Sequence, residues 1–273
     1  MQSQLASSFI TLNGRRLFLR ATGNSKGRPN AVLFLPPFAE EINKTRHLAN
    51  KVIQQLATAD CNSFMLDNFG TGDSEGDLDQ ASLDIWREDI HEFIKLLQQQ
   101  GYQNLNVIAI RFGSLQLLDL LNNNSLALPL EQIVLWQPMF DPAKFWQQFV
   151  RIKVAEAMAS GTKISQKELE QQLDNGDNIE IAGYPISPAF YHSLQQMNTS
   201  LPARLAEYQL SWFETSQLDT VALPVQKKLQ QLQQQTKVNF VPLKAEPYWQ
   251  TTELASADEL IAATVKQLAG DSV

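Results

Sequence analysis

The sequence predicts an α/β protein: a mostly parallel central sheet with helices on both faces and a helical insertion late in the chain. Three patterns carry that reading. Short, wholly apolar runs of strand length alternate with amphipathic helical stretches, the order expected of a parallel sheet with helical crossovers. The runs stop abruptly at Pro, Asp or Gly-bearing loops, as buried strands do. From Pro142 to about Arg204 the strand pattern gives way to helical stretches and loops rich in Gly, Asn and Pro, and strand character returns at Gln209. The core is therefore expected over residues 1–141 and 209–273, with an inserted helical lid over 142–208.

Asn13-Gly14 is a two-residue hairpin dipeptide, so Leu17–Arg20 forms the second arm of an early hairpin. Ala31–Leu35 is a buried strand stopped by Pro36-Pro37. Ile42 to Leu56 has helical spacing, and Ser63–Leu66 is the next buried strand, ended by Asp67. Ser82 is placed to cap an amphipathic helix that reaches Leu97. Asn106–Ile110 is a strand that turns directly into a helix at Gly113–Leu121, and Gln132–Trp136 is a further strand. The insertion holds helices around Phe145–Met158 and Gln166–Leu173 and no strand. Gln209–Phe213 and Val238–Leu243 are the last strands, with a helix at Val225–Gln234 between them and another at Ala257–Leu268.

Composition narrows the function. Net charge is −7 over 273 residues with no Lys/Arg cluster, which argues against a nucleic-acid partner. One cysteine, Cys61, excludes an intramolecular disulfide framework. Met1–Ile10 lacks the basic start and apolar centre of a signal peptide, and no apolar run approaches the ~20 residues of a membrane span. The expectation is a cytoplasmic protein without cofactor, binding a small-molecule or acyl-group ligand. Asp73, Glu75, Asp77 and Asp79 lie close together, but Gly76 is misplaced for an EF-hand loop, so no metal site is expected.

Chemistry in parallel sheets gathers at the carboxyl ends of the strands. Asp67 followed by Gly70-Thr71-Gly72-Asp73-Ser74 ends one strand as α/β-hydrolases do, with glycines that permit a tight crossing. At the next junction that fold carries a Gly-x-Ser-x-Gly elbow that lifts a nucleophile above the sheet. Here the register reads Ala109-Ile110-Arg111-Phe112-Gly113, with arginine in the nucleophile's place. A guanidinium stays protonated and is no nucleophile. Ser114 falls in the first helical turn, directed away from the apex. In the loop Pro36-Pro37-Phe38-Ala39-Glu40-Glu41 the first amides able to stabilise an oxyanion are those of Phe38 and Ala39, with Phe112 as a further donor. The loop after the last strand, Lys244-Ala245-Glu246-Pro247-Tyr248-Trp249-Gln250, lacks the triad histidine. His47, His91 and His192 all precede the last two strands; Glu214, at the end of its strand, and Asp219 just beyond lie where the triad acid belongs and read equally well as solvated loop residues.

Arg111 at the positive end of a helix dipole needs an anion nearby. The favoured reading is an internal ion pair with Glu40, Glu41 or Glu246; the sharper one is a ligand carboxylate or phosphate held by Arg111 and the Phe38 and Phe112 amides. Phe145, Trp146 and Phe149 read as a pocket wall or a core stripe.

The segments PPFAEEINKTRH (36–47), GTGDSEGD (70–77), IRFGSLQLLDL (110–120), WQPMF (136–140), AGYPISPA (182–189) and EPYWQT (246–251) resemble the second hydrolase associated with exosortase A systems, an α/β-hydrolase found beside protein-sorting and exopolysaccharide loci. The resemblance spans nearly the whole chain. It implies an α/β-hydrolase fold, a Gly-x-Arg-x-Gly-like elbow, from which Ala109 departs, and a hydrolase by descent. Two functions follow as expectations. One is an ester or thioester hydrolase or acyltransferase with Arg111, Glu41 and Glu246 as catalytic residues and Phe38, Ala39, Phe112, Glu40 and Trp249 around the substrate. The other is a non-catalytic ligand-binding or scaffold protein that keeps the pocket and lid.

Overall fold

The chain opens with the hairpin that Asn13-Gly14 dictates. Both turn residues have positive φ, 49° and 80°, the geometry of a type I′ turn that matches strand twist. It joins β1 (Ala6–Leu12) to β2 (Arg15–Thr22). The computed structural model describes residues 5–22, 29–59, 61–251 and 253–270. After the hairpin come β3 (Asn30–Leu35), α1 (Glu40–Thr58), β4 (Asn62–Leu66), α2 (Leu83–Gln99), β5 (Asn104–Ile110), α3 (Gly113–Asn123) and β6 (Leu130–Trp136). Between β6 and the next sheet strand lie α4 (Pro142–Ala159), α5 (Gln166–Asp174), a small hairpin of β7 (Ile179–Ile181) and β8 (Tyr184–Ile186), and α6 (Pro188–Gln196). The chain then returns through β9 (Gln209–Ser216), α7 (Leu223–Gln233), β10 (Val238–Lys244) and α8 (Asp258–Ala269).

The eight-stranded sheet has the order β1-β2-β4-β3-β5-β6-β9-β10. The pairs from β4 to β10 are parallel, and the antiparallel pairs are β1 with β2 and β2 with β4. This is the α/β-hydrolase arrangement. Ile90, Phe93, Ile94 and Leu97 of α2, with Leu117, Leu120 and Leu121 of α3, cover one face. Leu48, Val52, Ile53 and Leu56 of α1, with Leu260, Ile261, Val265 and Leu268 of α8, cover the other. Strands β3 to β6, buried on both sides, are for that reason continuous apolar runs and not alternating ones. Ser82 caps α2 as the sequence predicts, its hydroxyl accepting from the Ile85 amide at 3.3 Å.

The insertion departs from expectation in two places. The stretch read as strandless contains the β7–β8 hairpin, whose turn is Ala182-Gly183 with φ 52° and 80°. Alanine in a left-handed position and arms of three residues gave no hairpin signal. The Gly-, Asn- and Pro-rich stretch also hides α6, started by Ser187, which accepts from the Phe190 amide at 3.2 Å, and by Pro188 in the first turn. That Ser-Pro pair was the signal available in the sequence. No helix among the described residues is long and apolar enough to cross a membrane.

A third apolar cluster joins the insertion to the sheet. Phe38 stands at its centre, within 5.1–6.1 Å, centroid to centroid, of Trp86, Phe112, Phe145, Phe149 and Phe190. At the start of α3, Gly113 lets the helix press directly on β3: a β-carbon there would lie 2.3 Å from the Leu35 carbonyl oxygen. Gly113→Ala is therefore expected to destabilise the fold by about 2 kcal/mol or more, since backbone must move to admit the methyl group. Urea denaturation of the two proteins measures it.

Candidate active site

Three adjacent parallel strands end in non-glycine residues with left-handed backbone. Ala39 follows β3 at φ 52°, Arg111 follows β5 at φ 52°, and Gln137 follows β6 at φ 45°. Such conformations cost about 1–3 kcal/mol each and persist where surrounding structure imposes them. At Arg111 the imposing contacts are visible. Its amide donates to the Trp136 carbonyl at 2.9 Å, and its carbonyl accepts from the Ser114 amide, the Met139 amide and the Ser114 hydroxyl. Ser114 is thus a brace beneath the elbow: its hydroxyl also accepts from the Met139 amide at 2.8 Å and it is fully buried.

The apex belongs to the Arg111 side chain, which is only 9% exposed as a residue. Its Nη2 donates to Glu41 Oε1 at 2.9 Å, and its Nε lies 3.2–3.3 Å from both carboxylate oxygens. Trp249 covers the guanidinium, with its ring centroid 4.6 Å from Cζ. An arginine at the N-terminus of α3 is disfavoured by the helix dipole, whereas Glu41 in the first turn of α1 is favoured by its own. The pair thus meets with one partner in a favourable field and the other in an unfavourable one, and the bidentate geometry offsets the cost of partial burial. The cation over the indole adds about 0.5–2 kcal/mol.

Of the three carboxylates expected near Arg111, the structure brings Glu41 alone into contact. Glu40 turns outward to Lys44 at 3.7 Å and Tyr184 Oη at 3.4 Å. Glu246 is exposed, and its carbonyl closes the loop by accepting from the Tyr248 amide. Phe38, Ala39, Glu40, Glu41, Arg111 and Trp249 do share a pocket of about 310 Å³ between the elbow and the insertion. Its outer wall includes Phe145 and Phe149. Trp146 faces elsewhere: it packs on Tyr191 and donates to Glu170 at 2.9 Å. The Phe112 ring is wholly buried, leaving its backbone amide as what it can offer a ligand. Among the described residues the Phe38, Ala39 and Phe112 amides have no backbone acceptor.

None of the three histidines stands at the apex. His47 bonds through Nε2 to the Ala255 carbonyl at 2.8 Å, His91 lies within α2, and His192 is an exposed residue 4.0 Å from Asp174. The acids near β9 divide sharply. Asp219, exposed, pairs with Lys244 at 3.1 Å. Glu214, open in sequence between a triad-region acid at a strand end and a solvated loop residue, lies inside β9 and is 8% exposed. It accepts from Gln137 Nε2 at 2.7 Å and Trp212 Nε1 at 2.8 Å. Gln137 is held in turn by the Thr215 amide and hydroxyl, which fixes its amide orientation. Burial raises the Glu214 pKa, opposed by the Trp212 hydrogen bond, the charge of Arg111 and the Gln137 hydrogen bond. Tyr248, a residue the sequence did not single out, is fully buried in the loop that should carry the histidine, with its hydroxyl unpaired. Burial raises its pKa, so it stays a neutral phenol beside Arg111, Glu41 and Glu214. The glycine loop is turn chemistry. Asp67 Oδ2 accepts from Arg46 and the Asp73 amide, both at 3.0 Å, and a side chain at Gly72 would strike that carboxylate.

The model of the family described as serine aminopeptidase S33 matches residues 28–208. No curated protein sequence matches the chain. Among solved structures it resembles the ferulic-acid complex of Est1E from Butyrivibrio proteoclasticus, with 12% identity, TM-score 0.66 and coverage of 96% of this chain and 97% of that one. An α/β-hydrolase fold protein from Chitinophaga pinensis gives 13% identity, TM-score 0.62 and coverage of 100% and 99%. XC6422 from Xanthomonas campestris, an α/β serine hydrolase without a lid, gives 12%, 0.56, 97% and 93%.

Glu41→Gln leaves Arg111 beside a neutral amide and is expected to cost about 1–3 kcal/mol, below the fully buried limit because the carboxylate is a quarter exposed. Chemical denaturation reads it. Glu214 acts through pH. Because its folded pKa is raised, the unfolded chain releases this proton first, so its contribution to stability is greatest below the ordinary value of 4.5 and falls as pH rises towards the folded pKa. Denaturation midpoints taken across that interval should decline in wild type relative to Glu214→Gln; parallel profiles would contradict the assignment.

Proposed function

We infer the function from one premise: this chain belongs to the serine aminopeptidase S33 family, within the α/β-hydrolase superfamily. Members of such a fold hold their ligands above the elbow, and the pocket here is apolar on the side of the insertion and bears fixed charges on its floor. We propose that the chain binds a small acyl-type ligand there without forming an acyl-enzyme, and that residues 142–208 serve as the lid. The observation that carries this reading is the apex itself. Where a serine would attack stands a guanidinium committed to Glu41 and covered by Trp249. A serine-type acyl-enzyme needs a hydroxyl at the apex with a base in reach, and neither Ser114 nor any of the three imidazoles supplies it.

The resemblance to the exosortase A-associated hydrolase supports placing the protein, in the cytoplasm, with protein-sorting or exopolysaccharide machinery. The segments that carry it, PPFAEE, IRFGS and EPYWQ, contribute Glu41, Arg111 and Trp249, the three members of the clamp.

A second reading has its own support. The strained elbow and the Phe38, Ala39 and Phe112 amides, which have no backbone acceptor among the described residues, are compatible with an ester or thioester hydrolase or acyltransferase using water or an acceptor directly. In that reading Arg111 and Glu41 act in catalysis, whereas Glu246, expected beside them, is exposed and does not line the pocket.

Exposure to a serine-directed fluorophosphonate and to acyl-nitrophenyl esters separates the two. We expect no label and no burst, while octanoate changes the tryptophan fluorescence and Trp249→Phe removes that change. Turnover of an acyl donor that disappears in Arg111→Ala would establish the second reading instead.

A further inference from the structure

The apolar pocket does not end at Arg111. A second cleft, of about 550 Å³, opens on the other side of the elbow between α4 and α7, and the two share Arg111, Met139 and Gln148. Its character differs. Lys144 and Lys228 line it, and a recess of about 400 Å³ that shares both of these lysines adds Lys227. Three lysines around one groove are notable in a chain of net charge −7. Two acids also face it. Asp141 lies 3.6 Å from Lys144, and Glu214 is occupied by Gln137 and Trp212. Lys228 makes no ion pair within 4 Å among the described residues: its ammonium rests over the Phe140 ring at 4.8 Å and donates to Gln231 at 3.1 Å, with Asp141 acting on it only at longer range. Burial and the neighbouring charge of Lys144 lower the Lys228 pKa and Asp141 offsets them only in part, so an anion in the cleft would favour the charged form.

We propose that the ligand is an amphiphile: an acyl chain in the pocket beneath the insertion, joined across Arg111 to a phosphate-bearing head group held by Lys144, Lys227 and Lys228. This rests on the acyl-binding reading above and names the ligand class. At about 30 Å³ per water-sized group the apolar pocket of about 310 Å³ has room for roughly ten, enough for an eight-carbon chain. The bond between tail and head would lie over Arg111 and Met139, at the point both clefts share. A phosphopantetheine thioester and a lipid phosphate present the same chemistry.

Titration calorimetry of the full chain with octanoate, octanoyl-coenzyme A, coenzyme A alone and octanoyl-glycerol phosphate tests it. At least one of the two phosphorylated octanoyl compounds should bind about tenfold or more tighter than octanoate, and which one does so identifies the source of the head group. Lys227→Gln and Lys228→Gln should each weaken that ligand by up to about fivefold, less at high salt, and leave octanoate unchanged. Both lysines are outside the elbow, so a change confined to phosphorylated ligands excludes a general effect on folding. Equal affinity for octanoate and both phosphorylated compounds, or tight binding of coenzyme A alone, overturns the amphiphile and leaves the acyl pocket standing. Failure of all four to bind overturns both. Release of free thiol from octanoyl-coenzyme A in the same samples would overturn binding without turnover while leaving the ligand class intact.

Discussion

A positive charge at the bend between β5 and α3 constrains everything around it. Arg111 stands where a helix dipole, a left-handed backbone and partial burial all oppose it. The opposition is met from two directions: Glu41 arrives on the first turn of α1, and Trp249 arrives on the loop after β10. These segments are 70 and 138 residues from Arg111 in sequence and come together only because the sheet sets β3 beside β5 and returns the last loop over the same edge. The ion pair therefore ties the sheet, its first helix and its last loop into one unit.

The same arrangement fixes what chemistry the site can perform. A serine elbow works because its strained turn exposes a nucleophile to a base and to amides that receive the developing charge. Here the elbow keeps its left-handed backbone, and its apex carries the Arg111 guanidinium paired with Glu41. Glu214 and Tyr248 fill the acid and histidine regions with groups that burial keeps inclined to the neutral state. Charge at the floor is consequently concentrated in one matched pair, with a mainly apolar cleft on one side and a lysine-lined one on the other.

Much of this was legible from sequence. Apolar runs of strand length, Pro36-Pro37, Asn13-Gly14 and Ser82 are local signals, and local structure obeyed them. The elbow register followed from a strand leading straight into a helix, which located Arg111 without coordinates. What sequence left open was which of Glu40, Glu41 and Glu246 would pair with it, because adjacent residues on a helix start point about 100° apart and only one faces inward. Sequence left Glu214 open between a buried acid and a solvated one, because its burial depends on Gln137 and Trp212, whose positions are tertiary. Tyr248 gave no sign, since an aromatic beside proline and tryptophan reads as surface or core alike. The β7–β8 hairpin and α6 were hidden by their shortness and by an alanine in a glycine-like turn.

The most direct measurement is a double-mutant cycle on Arg111→Met and Glu41→Gln, with stability taken from denaturant unfolding. If the guanidinium and the carboxylate hold each other at the apex, the double variant is more stable than the sum of the single losses allows, by about 1 kcal/mol or more. Strict additivity would mean that the two side chains do not meet, and the locked elbow would have to be abandoned.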